Sequence, residues 1–299
     1  MSLTTSTHST LKQSAAAERK KIRKERFAQL RKNKAFIVGA GILTFWVLCA
    51  LVGEFLVRID PDELGFLNGV ETDLAPNATN WFGTDSNGRD VFSRVIVGSR
   101  PIIVMASLAT ILGTVAGASI GLVSGYLKGW FDVITMRILD AISAMPVLVL
   151  ALLALSAVGG SSSVVTICII GFVFTPIIAR TVRAAVLSEA ELDYVAAAKL
   201  RTERMPHILF KEILPNVLPP IIVEFTVRLG YAVFAIATLS FLGVGVELGS
   251  PNWGSQVADH YNLIFSGIWW STIFPAGAIA TLAIGINLIA DGVTEAFEL

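Results

Sequence analysis

The sequence predicts an all-α polytopic membrane protein with six transmembrane helices and both ends in the cytoplasm. Three observations carry this. Of 299 residues, 54% are hydrophobic and 15% charged, against about 25% charged in a soluble domain, so the apolar excess must face lipid. Six runs approach the ~20 apolar residues that cross a hydrocarbon layer ~30 Å thick. Finally, 23 Lys and Arg balance 23 Asp and Glu, yet the basic residues are segregated along the chain. The zero net charge also excludes the global basic field of a nucleic-acid binder.

The expected spans are residues 36–57, 101–125, 134–157, 163–182, 218–242 and 267–289. They are continuously apolar, whereas barrel strands alternate in polarity. The backbone must therefore satisfy its hydrogen bonds inside helices. Residues 1–34 form a polar arm with Lys12, Arg19, Lys20, Lys21, Arg23, Lys24, Arg26, Arg31, Lys32 and Lys34. A secretory signal would place its apolar core nearer the start and end it at a small-residue cleavage site. The arm is read instead as a cytoplasmic tail, uncleaved, with anionic lipid as its alternative partner.

Loop charges agree with this orientation. Residues 183–216 carry Arg183, Lys199, Arg201, Arg204 and Lys211 and fall inside. Loops 158–162 and 243–266 lack Lys and Arg and fall outside. Loop 58–100, net acidic, also falls outside. Trp253, Trp269 and Trp270 are expected at the outer interface, where indoles are favoured.

Within the spans, Gly113, Gly117, Gly121 and Gly125 make a stripe without side chains, where another helix can approach closely. Cys49 and Cys168 lie in apolar runs and read as small packing residues. Charges inside spans face protein or water. Arg137 and Asp140 are spaced to pair on one helical face, and so are Glu224 and Arg228. The second pair is either a lock on the bundle or the polar lining of a solute path. Pro176 and Pro275 are candidate kinks.

Loop 183–216 has internal order. Ser188-Glu189-Ala190-Glu191 reads as a capping box, opening a helix through Leu200 with a slim Ala196-Ala197-Ala198 face. The pattern breaks at Thr202–Met205. Pro206 then suits the first turn of a second helix toward Ile213, which Leu214-Pro215-Asn216 is expected to stop. Two short helices with apolar Ile208, Leu209, Phe210 and Ile213 make a docking knob for a soluble partner.

Tyr194-Val195-Ala196-Ala197-Ala198-Lys199 followed by Ile213-Leu214-Pro215-Asn216 resembles the coupling-loop signature of permeases in binding-protein-dependent ABC importers. More narrowly, the chain resembles the second permease of the dipeptide/oligopeptide/nickel class. Trp81-Phe82-Gly83-Thr84-Asp85 with Gly88-Arg89-Asp90 and Ser93-Arg94 agrees. So do Leu239–Val246 with Pro251, Trp253 and Gly254, and Asn287-Leu288 with Asp291-Gly292. The resemblance covers nearly all of residues 35–295, read as one permease domain between the basic tail and a short tail at 296–299. It departs at Ala196, where the family has glutamate, and at Thr202, where it has glycine. A β-branched residue resists positive φ, so Thr202 is expected to cap a helix at negative φ.

The resemblance implies a type I ABC importer permease in the plasma (inner) membrane, one half of a translocation pore. Its implied partners are a homologous second permease, two cytoplasmic ATPase subunits or domains, and an extracytoplasmic solute-binding protein. Membrane lipid, but no nucleic acid, completes the set. ATP and Mg belong to the ATPases. No G-x-x-x-x-G-K-[ST] phosphate loop occurs in this chain, which is expected to be non-catalytic and to bind no cofactor. The expected ATPase-coupling residues are Glu191, Tyr194, Ala197, Ala198, Lys199, Thr202, Glu203, Ile208, Leu209, Phe210 and Pro215. Glu224 and Arg228 are candidates for the path.

Peptides are the expected substrate, with nickel or glutathione as alternatives. A stand-alone ion-coupled transporter is the competing class, but no inverted repeat of the kind such proteins show is evident. His8, His207 and His260 are too scattered to suggest a metal site. Asp85-Ser86-Asn87-Gly88 lacks the twelfth-position glutamate of a calcium loop and reads as a turn.

Overall fold

A computed structural model describes residues 28–158, 162–247 and 249–297. Most of the basic tail and the last two residues lie outside these. The described residues form helices of seven to 29 residues: α1 (Lys34–Leu56), α2 (Val91–Val97), α3 (Ser99–Leu127), α4 (Gly129–Ser143), α5 (Val147–Ala157), α6 (Ser163–Glu189), α7 (Asp193–Leu200), α8 (Leu214–Phe241), α9 (Trp253–His260) and α10 (Trp270–Phe297), with shorter turns between them. Five are long and apolar enough to cross a membrane, alone or with the helical turns that lead into them. The pair α4–α5 makes a sixth, bent by 81°.

The expected third span, 134–157, is thus broken into two helices. Pro146, the residue before α5, sits at ψ 127°. Proline cannot donate a backbone hydrogen bond, and it pushes the residue before it out of the helical region. By contrast, α6 and α10 continue through Pro176 and Pro275.

Contacts between the ends of the helices fix the topology. Asn33 caps α1 by accepting from Phe36 N (3.0 Å) and donates to Glu295 near the end of α10 (2.6 Å). Trp46 reaches Thr281 (3.2 Å), so α1 and α10 run antiparallel. At the far end of α1, Glu54 pairs with Arg100 at the start of α3 (2.6 Å). At the end of α3, Lys128 pairs with Glu191 (3.1 Å). The first and last spans therefore begin and end on the side that carries the basic loop around α7, the inner side by its charge.

The central contact is α3 against α6. A Cβ on Gly113 would stand 2.8 Å from Gly171 O, one on Gly117 2.8 Å from Thr175 O, and one on Gly121 2.6 Å from Ala179 O. The expected seam exists, and its partner is the fourth span.

Outside, the acidic loop is a folded cap. Arg94, 2% exposed, donates from Nη1 to Pro61 O (2.7 Å) and from Nη2 to Gly249 O and Ser250 O (both 3.1 Å), binding two distant loops together. Asp90 caps α2 through Ser93 N (2.8 Å). Trp253 Nε1 donates to Val95 O (2.7 Å), and Trp270 Nε1 to Thr84 O (3.0 Å). These two indoles are buried struts, not the interfacial belt expected of them; only Trp269 is half exposed. At Gly83, φ 75°, a Cβ would stand 2.4 Å from Leu74 O and 2.7 Å from the Trp270 ring, so there is no room for a side chain. Asp85 accepts from Asn87 N and Arg89 N (both 2.9 Å), so this segment is the expected turn. Cys49 is buried as expected, but Cys168 is exposed.

Gly121→Val should lower the stability of the detergent-solubilised protein by about 1–3 kcal/mol, the range for overpacking. Gly41→Val, in open space, should fall well short of that. Thermal denaturation followed by tryptophan fluorescence reads both.

Candidate functional site

The inner loop is built from the end of α6, from α7, and from a helical stretch leading into α8. α6 runs through Ser188, whose Oγ faces Ala184 O, and α7 is preceded by Leu192 with no side-chain cap. The expected capping box does not form, because a tertiary extension of the fourth span takes the serine into its last turn. Glu191 instead faces Lys128.

α7 ends in a Schellman motif. Glu203 N donates to Ala198 O (3.3 Å) and Thr202 N to Lys199 O (2.9 Å), with Thr202 at φ 53°. The expectation of a negative-φ cap is therefore overturned. Thr202 holds the left-handed position that suits glycine, its hydroxyl directed at Arg201 O (2.7 Å). Two closing hydrogen bonds outweigh the ~1–2 kcal/mol that this conformation costs an L-residue.

The second correction concerns Leu214-Pro215-Asn216. These residues do not stop a helix. A turn at Met205–His207 passes into a π-helix at Ile208–Ile213 and directly into α8, making one helical run of 37 residues. Leu214 N donates to Leu209 O, five residues back. This widened turn lets Pro215, which lacks N–H, sit in the first turn of α8. Asn216 Nδ2 donates to Glu212 O (3.0 Å), satisfying backbone beside the proline.

Asn216 also donates to Tyr194 Oη (3.0 Å), which in turn donates to Glu189 Oε2 (2.6 Å). The chain Glu189–Tyr194–Asn216 thus ties α6, α7 and α8 together. Burial first, then the Glu189 carboxylate, push the Tyr194 phenol up to about 12, so it remains a neutral donor through physiological pH. Val195, Ala198, Ile208, Leu209 and Ile213 are buried beneath the loop, while Leu200 is 86% and Phe210 60% exposed. Ala197 is half-buried. Lys199 lies over the Tyr126 ring (5.1 Å).

The loop therefore also reaches the end of α3, through Tyr126 and Lys128, which sequence reading did not anticipate. Nor did it anticipate Asp132 of α4, which Arg183 grips bidentately. A basic residue late in span four, facing an acidic residue just after span two, was the only available signal.

Glu203, His207 and Glu212 bring ligand atoms within 4.8 Å of one another, a grouping that the scatter of histidines along the sequence did not suggest. Arg201 already bonds Glu203 (2.7 Å) and faces Glu212 (3.6 Å), so a guanidinium is the cation of this cluster. The hydrogen bond from Arg201 holds the Glu203 carboxyl below its ordinary value. The contact is thus present above the ordinary carboxylate range and weakens only as pH falls through the depressed value.

In the membrane, Glu224 and Arg228 pair as expected (3.0 Å), both side chains largely buried. α8 begins at Leu214, so Arg228 lies about 21 Å along it at 1.5 Å per residue, at mid-span. Thr181 of α6 donates to Glu224 Oε1 (2.9 Å). Asp140, however, faces Arg180 (3.9 Å), which also bonds Ser143. The expected partner, Arg137, is exposed: the cross-helix cation displaced the neighbour on the same helix. Arg228 lines a cavity of about 360 Å³ between the α4–α5 bend, α6 and α8.

Thr202→Gly should raise the melting midpoint by roughly 2 °C, the shift for about 1 kcal/mol in a chain this size, and Thr202→Val should lower it. Tyr194→Phe, which deletes a hydrogen bond to a carboxylate, should cost about 1.5–3 kcal/mol in the same measurement.

Comparison with known proteins agrees with this architecture. Residues 117–298 match the binding-protein-dependent transport system inner membrane component family. Residues 23–79 match the N-terminal TM domain of oligopeptide transport permease C. The dipeptide transport system permease protein DppC of Alkalihalophilus pseudofirmus is 36% identical over 92% of this chain and 89% of its own length. DppC of Bacillus subtilis is 35% identical over 90% of this chain and 83% of its own. The probable D,D-dipeptide permease DdpC of Escherichia coli is 35% identical over 90% and 89%. Among solved structures, an inward-facing MetNI methionine ABC transporter shares the fold with a TM-score of 0.55, at 18% identity over 68% of this chain and 96% of that one. A bundle of five spans and one bent span, carrying a rigidly seated inner loop, is thus joined to relatives along almost its whole length: the chain belongs to the family of inner membrane components of binding-protein-dependent transport systems.

Proposed function

We propose that this chain is the permease subunit of an ATP-driven ABC importer for di- and oligopeptides. In this reading it forms half of the translocation path with a homologous permease. Two ATPase subunits drive the assembly, and an extracytoplasmic binding protein feeds it. ATP and Mg act on the ATPases, and this chain carries no catalytic group of its own. The names of its relatives support the peptide assignment.

The observation that carries the coupling role is the seat of the inner loop. Its apolar underside is buried, its polar ties reach α3, α6 and α8, and Leu200 and Phe210 project into solvent. Exposed apolar side chains on a rigid support are what a soluble partner can grip. A displacement there moves several spans as one body, the pattern of a packed two-state switch.

Leu200→Asp and Phe210→Asp, both on exposed positions, should leave the subunit folded. They should reduce co-purification of the ATPase and cut peptide uptake at least tenfold in reconstituted vesicles. Wild-type recovery of ATPase with both changes, or uptake by this chain alone driven by an ion gradient, would overturn the reading.

A further inference from the structure

Arg228 uses one of its five N–H donors. Nε bonds Glu224 Oε2 (3.0 Å), while among the described residues neither Nη nitrogen has a hydrogen-bond partner. The guanidinium plane is supported by the Tyr231 ring, 5.1 Å away. The unused end-on edge, with two parallel N–H groups, is the geometry that takes a carboxylate bidentately. Of the side chains lining the ~360 Å³ cavity, Arg228 alone is charged, among apolar walls such as Met145, Phe174 and Phe234. That volume lies near the lower end of the ~300–1,000 Å³ typical of ligand pockets, which are largely apolar with a few placed polar groups.

Glu224 explains why such a cation is stable at mid-span and yet available. Its Oε1 accepts from Thr181 (2.9 Å) and its Oε2 from Arg228 Nε (3.0 Å), so the carboxylate is fixed without a bond to either Nη nitrogen. We infer that Arg228 is a carboxylate anchor for the passing solute: its Nη edge takes the free carboxyl group of a peptide, while Glu224 balances the guanidinium charge when no solute is bound. This inference rests on the peptide-permease reading and names the chemistry at its mid-membrane site.

The test uses the complete transporter, with both permeases, ATPases and the binding protein, reconstituted in vesicles with ATP inside or outside as orientation requires. Uptake of L-alanyl-L-alanine is compared with that of its C-terminal amide, in wild type, Arg228→Lys and Arg228→Met. Selectivity contributed by the binding protein is common to all three and cancels. The free-acid-to-amide uptake ratio should fall at least tenfold in Arg228→Met, the size expected for losing a charge-assisted pair of hydrogen bonds. It should fall by less in Arg228→Lys, which keeps the charge without the fork. If both substrates slow equally, the pair is a lock on the bundle and the anchor is refuted. A ratio unmoved in both variants refutes it too. A wild-type complex that hydrolyses ATP but carries neither compound overturns the peptide reading, and the anchor with it.

Discussion

The backbone-to-backbone approach of α3 and α6 sets the positions of everything else. With no side chains between them along the glycine stripe, α6 cannot rotate, and its polar residues are presented in fixed directions. Arg180 faces Asp140 and Ser143, Thr181 faces Glu224, and Arg183 grips Asp132. Two of these pairings join α6 to α4 and one joins it to α8, and each satisfies a group that hydrocarbon would penalise. The same helix overruns its expected end and delivers Glu189 to Tyr194. The fourth span is thus the beam on which both the mid-membrane pair and the inner loop are mounted.

The outer end is closed by different means. Arg94 donates to three backbone carbonyls from two loops more than 150 residues apart, and two buried indoles donate to backbone nearby. Carbonyl acceptors are fixed by the chain path and need no rotamer of their own, so this clamp is stiff. Rearrangement of the bundle that preserves these bonds must pivot about the outer cap, with the larger displacement at the inner end. The motif around Trp81–Arg94 is consequently explained as architecture: glycine for a crowded left-handed turn, aspartates for caps and turns, arginine for the clamp.

The spans and the glycine seam were legible in the sequence because hydrocarbon thickness and the four-residue repeat are strong, periodic constraints. The Glu224–Arg228 pair was legible because both partners lie on one helix, four residues apart. What failed were inferences from short local patterns. Ser188-x-x-Glu191 has the composition of a capping box, but capping requires a helix to begin there, and packing carried α6 past it. Leu214-Pro215 has the composition of a stop, but a single π turn passes the missing donor. Asp140 had an acceptable partner three residues away and a better one across the bundle. Tyr126, Lys128 and Asp132 were invisible because nothing local marks residues whose partners lie 50 or more positions distant.

Two of the three non-glycine residues with positive φ among the described residues, Lys128 and Thr202, lie at the inner end. Thr202 turns the chain between α7 and the helical run into α8. Lys128, at φ 54° and ψ −162°, turns it between α3 and α4, in a region nearly reserved for glycine. Strain of this kind persists only where the surroundings over-determine the backbone. For Thr202 the surroundings are two Schellman hydrogen bonds; for Lys128 they are its bond to Ser124 O (3.0 Å) and its ion pair with Glu191. A glycine at either point would satisfy the geometry with less strain but would leave the hinge free to visit other angles. A side chain that is held, against its preference, in one conformation by several partners gives the turn a single angle. Helices joined by such turns move together when pushed, which is the mechanical property a loop needs if a displacement at Leu200 and Phe210 is to reach the middle of the membrane.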